Sequence, residues 1–162
     1  MKRKLIFITI VYCLLSACGS KESVTTVYDP ETDKELIVKT INSSIGWAKN
    51  KDIELLHSII SNDTSFLEVH PDGSVVRGFS EFRKAEKFWM SEDFQALIYE
   101  IRDLQVNISR AGNVAWWFCI LDDVNTWKGE AASWENTRWT GVMEKQNNKW
   151  IIVQQHFSFA DN

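Results

Sequence analysis

The sequence contains little cysteine, little histidine and no cluster of basic residues. Two of its three cysteines fall within the first eighteen residues, so only Cys119 remains in the body of the chain and no internal disulfide is available there. The three histidines, His57, His70 and His156, lack metal-ligand spacing, and no glycine-rich phosphate loop is present. We therefore expect no metal and no cofactor.

The charge balance is acidic. The formal net charge of the full chain is −4, and removal of Lys2, Arg3 and Lys4 with an N-terminal signal would bring it to −7. An acidic domain without a basic patch argues against binding to nucleic acid. Eight tryptophans and nine phenylalanines supply a large apolar area, so the chain has the material for one core.

The long apolar run lies at the N-terminus. "MKRKLIFITIVYCLLSAC" has three positive charges, an apolar stretch and then small residues, which is typical of a secretory signal. Its end resembles the bacterial lipoprotein box, with Leu15 at −3, Ala17 at −1 and Cys18 as the lipidated residue. The resemblance implies cleavage before Cys18 and a stable anchor in the lipid bilayer of the cell envelope, with the domain outside the cytoplasm. A cleaved signal with an incidental cysteine is the alternative.

Composition divides the chain into three parts. Residues 1–17 are the predicted signal peptide, and residues 18–30 are the lipidated cysteine with a small, polar and flexible tether. Residues 31–162 form the predicted domain.

Hydrophobic periodicity predicts helices first and strands later. From Glu31 to Trp47 apolar residues recur at helical spacing, and Asp52 is placed to cap a second, shorter helix. "VHPDGSV" predicts a hairpin, a third helical stretch follows it, and from Phe94 onward the chain is strand-like. At Arg102–Asp103 the apolar residues change from one face of the predicted strand to the other, which predicts a β-bulge. The order predicts an α+β fold in which about three helices close one face of a curled antiparallel sheet.

Several stretches resemble the SnoaL-like and ketosteroid-isomerase-like superfamily, which has the nuclear transport factor 2-like fold. They are "NKDIELLHSIISNDTSFLEVHPDG", "RGFSEFRKAEKFW", "GNVAWWF" and "TRWTGVMEKQNNKWIIVQQHFS", in which the last strand starts at Trp150 and ends in His156 and Ser158. The resemblance implies a cone-shaped sheet that is closed by helices at one mouth and holds a small-molecule pocket.

The last predicted strand has a polar centre. Strand periodicity places Gln154, His156 and Ser158 on the same face as Trp150 and Ile152, so we expect that face to become polar towards the mouth of the cone. Both faces of this strand carry bulky apolar side chains, so both are expected to be covered. Helices would cover one face and a second subunit the other, as the resemblance also implies, and we expect a homodimer. A cover from within the domain is the alternative.

The pairing of the last two strands depends on the loop between them. A three-residue loop, Gln146–Asn148, sets Arg138 opposite His156 and Thr140 opposite Gln154. A two-residue loop would slip this register by one residue. With the first register we expect one ligand-binding patch made of Arg138, Thr140, Gln154, His156 and Ser158.

His70 is the foremost catalytic candidate. It stands directly before "PDG", and in ketosteroid isomerases a carboxylate at the corresponding place is the proton-shuttling base. A neutral histidine has a pKa suited to that task. Glu68 competes for the role, since strand periodicity puts it on the same face. The alternative for His70 is a hairpin-end residue partly in solvent.

Two further side chains are ligand-binding candidates. Trp47 would line the cone from the first helix, one turn beyond Ser44, where isomerases of this superfamily carry a tyrosine. Arg138 could bind an anionic group of a ligand together with His156, or pair with a neighbouring acid. The acids within reach would be Glu100, Glu135 and Glu144.

Three functional hypotheses follow. The first is a membrane-anchored module that binds a small, partly apolar molecule without catalysis. The second is a cofactor-independent isomerase, cyclase or dehydratase with His70 or Glu68 as acid/base. The third is a structural or interaction module of the envelope, with a cone filled by its own tryptophans.

Overall fold

The computed structural model describes residues 29–159. The predicted signal peptide, Cys18 and the tether up to residue 28 lie outside this range.

Three helical regions precede the long strands, as predicted. The first helix, α1, spans Pro30–Asn50, and α2 spans Ile53–Ile59. The third region is broken into α3 (Phe79–Phe82), a 3-10 turn (Arg83–Ala85) and α4 (Glu86–Trp89).

Local capping sets the bounds of the first two helices. The Asp29 side chain accepts a hydrogen bond from the Glu31 amide at 3.2 Å, and Pro30 occupies the first turn, where an amide proton is not needed. Lys51 ends α1 by adopting a left-handed backbone with φ of 53°. Asp52 then caps α2 as predicted, by accepting from the Leu55 amide at 3.0 Å.

Seven strands form one curled sheet in the order β2-β1-β7-β6-β4-β3, with β5 beside β4. Their bounds are β1 Leu67–Val69, β2 Val75–Arg77, β3 Phe94–Ile108, β4 Val114–Trp127, β5 Glu130–Ala131, β6 Trp134–Gln146 and β7 Lys149–Ser158. All pairs are antiparallel except β1 with β7. The α+β prediction is confirmed, but the sheet is mixed rather than wholly antiparallel, because β1 meets β7 through a long connection and not through a hairpin.

The helices pack on one face of this sheet, which we call the inner face; the opposite one is the outer face. Helix α1 buries Ile37, Ile41 and Trp47 at helical spacing against β3 and β7. The sheet contributes alternate residues to the same core, namely Ala115, Trp117, Cys119, Leu121, Trp139, Met143, Trp150, Ile152 and Phe157.

The predicted bulge in β3 is confirmed. Pairing with β4 shifts between Arg102 and Gln105, and Asp103 adopts a left-handed φ of 54°. Arg102 therefore lies on the outer face opposite Ile120, and Gln105 lies on that face too, opposite Phe118.

The predicted length of the loop between β6 and β7 is wrong. Gln146 pairs with Lys149, so the loop has two residues, Asn147 and Asn148, both left-handed with φ of 50° and 62°. This is the chemistry of a type I′ turn, whose twist matches that of the flanking strands. The register therefore begins one residue away from the predicted one.

A second bulge, at Val153, shifts this register again. Beyond Met143 and Ile152 the pairs are Val142–Gln154, Thr140–His156 and Arg138–Ser158, so Arg138 does not oppose His156 as predicted. One extra residue moves every later side chain of a strand to the other face.

The bulge overturns the expected polar face of β7. Gln155 and Phe157 join Trp150 and Ile152 on the inner face, and all four are buried. Gln154, His156 and Ser158 instead lie on the outer face. The prediction that those three residues share a face with Trp150 is therefore wrong.

A charged cluster joins the start of α1 to the end of the sheet. Asp33 is only 3% exposed, and its carboxylate accepts from the Trp150 indole at 2.9 Å and pairs with the Lys145 ammonium at 2.7 Å. A buried carboxylate is tolerated when donors surround it, so this cluster fixes the helix at one end of the cone.

We expect Asp33→Asn to lower the free energy of unfolding by about 2 kcal/mol, because it leaves the half-buried Lys145 ammonium without a counter-charge. Urea unfolding of the full chain measures the change. Glu35→Gln, on an exposed position of the same helix, is the control and should change it by less than about 0.5 kcal/mol. Equal effects of the two substitutions would contradict this account.

Candidate functional site

Glu68 and His70 meet on the inner face, at the hairpin formed by β1 and β2. Glu68 is 5% exposed and accepts a hydrogen bond from the Gln155 side-chain amide at 2.5 Å. Its other carboxylate oxygen is hydrogen-bonded to Nε2 of His70. Strand periodicity predicted that these two residues share a face, and their contact confirms it.

The Pro-Asp-Gly turn positions His70. The Gly73 amide donates to the His70 carbonyl at 3.0 Å, and the His70 amide donates to the Ser74 carbonyl at 3.0 Å. These bonds close the turn and hold His70, the residue after β1, beside Glu68.

The buried carboxylate changes the acidity of His70. The hydrogen bond to Glu68 raises the pKa of His70 above its ordinary value of 6.5; burial opposes this shift, and the negative charges of Glu68 and Asp72 add to it. The side chain of His70 is 25% exposed, so the imidazole can meet a molecule from solvent while its partner stays inside.

An aromatic wall extends from His70 into the cone. We use this name for Trp134, Phe157, Trp139 and Trp117. The His70 ring meets the edge of Trp134 at 5.7 Å between centroids, Trp134 lies 5.2 Å from Phe157, and Phe157 stacks on Trp139 at 5.5 Å. Trp117 then meets Trp139 edge-to-face at 5.5 Å. The wall gives the site an apolar side next to its charged pair.

Asp123 is a partly buried acid that the sequence analysis missed. It pairs with Trp134 across β4 and β6 and with Tyr99 across β3 and β4, on the inner face. Burial raises the pKa of the Asp123 carboxyl, and the Asn125 side chain opposes that shift. The sequence did contain a signal for this position, because Asp123 continues the alternation of the buried residues of β4.

Five buried polar atoms of the inner face have no hydrogen-bond partner within residues 29–159. A buried polar group without a partner costs about 1–3 kcal/mol, so these atoms lower the stability of the inner face. The atoms are Gln155 Oε1, Thr137 Oγ1, Asn125 Oδ1, Trp117 Nε1 and Trp139 Nε1.

The structure divides the predicted ligand-binding residues into two groups. Trp47 is inside the cone, edge-to-face with Trp89 at 5.6 Å. Arg138 is on the outer face and donates to the Phe159 carbonyl at 2.9 Å, rather than to Glu100, Glu135 or Glu144. Its predicted companions Thr140, Gln154, His156 and Ser158 lie on that same outer face, away from His70 and Glu68.

Some chemistries find no support in residues 29–159. No group of three His, Cys, Asp or Glu side chains there is arranged to hold a metal ion, and no helix there is long and apolar enough to cross a membrane. Cys119 is completely buried, and burial raises the pKa of its thiol to about 12, so it stays protonated and unreactive at neutral pH.

The His70–Glu68 hydrogen bond predicts a pH-dependent stability. Because the pKa of His70 is higher in the folded chain than in the unfolded one, its stabilisation is complete below pH 6.5 and is lost as the pH rises through the folded pKa. The melting temperature should therefore fall over that interval, and His70→Asn should remove this part of the slope. The control His156→Asn, an exposed outer-face residue, should keep it. An unchanged slope in His70→Asn would contradict the assignment.

Three solved structures share the fold. A nuclear transport factor 2 (NTF2-like) superfamily protein from Salmonella enterica has a TM-score of 0.71 at 20% identity, covering 83% of this chain and 95% of its own. A candidate dehydratase of the NTF2-like family from Streptomyces avermitilis has a TM-score of 0.68 at 19% identity, covering 83% and 100%. The association domain of CaMKII from C. elegans has a TM-score of 0.58 at 19% identity, covering 79% and 96%.

These identities show the fold alone, and a search of the curated proteins found no match. The family is shown by the sequence itself. The family model of the SnoaL-like domain matches residues 37–162, so the chain belongs to the SnoaL-like family.

Proposed function

We propose that the domain binds a small, partly apolar molecule at the mouth of the cone, without catalysis. The observation that carries the proposal is the buried Glu68, which holds a partly exposed His70 against Trp134. This places a polar group and an apolar surface side by side, as small-molecule sites require.

The site favours a ligand with a planar apolar body and one anionic or carbonyl group. Trp134, the partly exposed member of the aromatic wall, offers a ring contact worth about 0.5–1.5 kcal/mol beyond the area buried. His70, with its raised pKa, is a donor or a cation near neutral pH. Asp123 lies opposite Trp134 in the sheet, and the Asp123 carboxyl is a second hydrogen-bond donor whenever it is protonated.

Catalysis by the same residues is the second candidate. His70 beside a buried carboxylate is suited to proton transfer, and one protein of this fold is described as a candidate dehydratase. Against it, Ser44 donates to the Ile41 carbonyl at 2.9 Å, so the helix position that would hold an oxyanion donor is already committed.

A filled interior favours the third candidate, an interaction module, since the wall tryptophans pack on one another.

A titration of the full chain in detergent micelles with 2-naphthoate, a planar aromatic carboxylate, tests binding at the mouth. Trp134→Ala should weaken binding about tenfold through loss of the ring contact, and His70→Asn should weaken it through loss of the donor. Trp127→Ala is the matched control, because Trp127 packs on Phe88 at 4.6 Å, outside the wall, and should bind like the wild type. No binding, or an equal loss in the control, would contradict the proposal.

We further propose that the chain is a homodimer joined through the outer face. Apolar side chains are exposed there, with Ile98 67% and Trp116 47% accessible. Exposed apolar groups on a sheet face favour a covering partner, and one protein of the same fold is an association domain. Light scattering over a range of concentrations measures the association.

We also propose that acylation of Cys18 anchors the domain in the bilayer of the cell envelope, outside the cytoplasm. The lipoprotein-like end of the signal supports this. Cys18→Ser should abolish incorporation of labelled palmitate and move the protein from the membrane fraction to the soluble one. Labelling that persists in Cys18→Ser would contradict the anchor.

A further inference from the structure

Asp123 differs from the buried carboxylates Asp33 and Glu68. Asp33 pairs with the Lys145 ammonium, and Glu68 is hydrogen-bonded to His70. Within residues 29–159, by contrast, Asp123 takes part in no ion pair. Burial raises the pKa of the Asp123 carboxyl, and no neighbouring charge opposes that shift. Asp123 is therefore a partly buried acid whose charge is not compensated by any side chain in this part of the protein.

Two aromatic rings flank Asp123 on the inner face. Tyr99 lies opposite it on β3, and Trp134 lies opposite it on β6. Directly opposed residues of antiparallel strands have Cβ atoms about 4.5–5.5 Å apart, so both rings are within reach of a group that contacts the carboxylate. All three side chains are partly exposed, so a molecule at the mouth of the cone can touch them.

Helix α1 leaves room for the Tyr99 ring. A side chain at Gly46 would put its Cβ 3.0 Å from the Tyr99 hydroxyl and 3.2 Å from Cε1 of the same ring. Glycine lowers the stability of a helix relative to alanine, so its presence here fits the need to seat this ring. The Tyr99 hydroxyl itself makes only a long contact, 3.5 Å to Oδ1 of Asn42. The ring is thus held beside Asp123 by shape rather than by a strong hydrogen bond.

Trp134 lies between two groups that can carry opposite charges. The His70 ring meets the Trp134 ring at 5.7 Å between centroids, and His70 is a donor or a cation near neutral pH. Asp123 lies on the neighbouring strand, opposite Trp134. A ligand that packs on the Trp134 ring can therefore meet a cation from the β1–β2 hairpin and an anion from β4.

We propose that the ligand at the mouth is a zwitterion whose protonated amine pairs with Asp123 between the rings of Tyr99 and Trp134. This proposal rests on the proposed function and deepens it, because the amine is added to the anionic or carbonyl group that faces His70. An ammonium group is attracted both by a carboxylate and by the faces of aromatic rings. It also supplies the opposite charge that a partly desolvated carboxylate needs. A second anionic group at this place would be repelled by Asp123.

A titration of the full chain in non-ionic detergent micelles, near neutral pH, tests the amine with three planar probes. The first, 6-(aminomethyl)-2-naphthoate, carries the amine; 6-(hydroxymethyl)-2-naphthoate is its neutral counterpart; 2-naphthoate carries neither group. We expect the amine probe to bind about tenfold more tightly than the hydroxymethyl probe. Asp123→Asn keeps the shape of the side chain and removes its charge, so this ratio should fall to about one. The hydroxymethyl probe should bind to Asp123→Asn as it binds to the wild type, which also shows that the variant is folded.

Glu135→Gln is the matched control. It likewise removes one negative charge, from an exposed position next to Trp134 in the sequence. The wild-type ratio of the two affinities should persist in this variant.

The outcomes distinguish failure of this proposal from failure of the proposed function. A ratio near one in the wild type, or a ratio that survives in Asp123→Asn, overturns the zwitterion, whereas 2-naphthoate binding that depends on Trp134 leaves the site at the mouth in place. Failure of all three probes to bind overturns both proposals. A ratio that is lost in Asp123→Asn and kept in Glu135→Gln supports the pairing of an amine with Asp123.

Discussion

Strand β7 has to pack on the helices near its start and to satisfy the buried Glu68 carboxylate nearer its end, and the bulge at Val153 reconciles these two demands. Before it, Trp150 and Ile152 fill the core; after it, Gln155 reaches Glu68 and Phe157 joins the aromatic wall. Without the extra residue Gln154 would take the inner position, and the core would have to accept His156 in place of Phe157.

Buried carboxylates mark both ends of the cone. At one end Asp33 is neutralised by Lys145 and bonded to the Trp150 indole, which ties the helix to the sheet. At the other end Glu68 is bonded to Gln155 and His70, and the histidine stays partly accessible. The same physical requirement, that a buried charge must have partners, produces a structural clamp in the first case and a candidate ligand site in the second.

The two faces of the sheet offer different chemistry because bulges distribute polar side chains between them. The inner face combines the aromatic wall with titratable groups, which suits an apolar molecule carrying an anionic or carbonyl group. The outer face combines an exposed indole with neutral amides and exposed apolar groups, which suits a second copy of the chain.

Local patterns in the sequence were sufficient for the helices, the Pro-Asp-Gly hairpin, the bulge at Asp103, the α+β class and the shared face of Glu68 and His70, because each depends on spacing or turn chemistry within a few residues. The face on which Gln154, His156 and Ser158 lie was not predictable in this way. It depends on an Asn-Asn turn and a bulge that only the packing of β7 against β6, β1 and the core selects. Parity in β4 pointed to the inner face for Asp123, but its neighbours Trp134 and Tyr99 are known only once distant strands are paired.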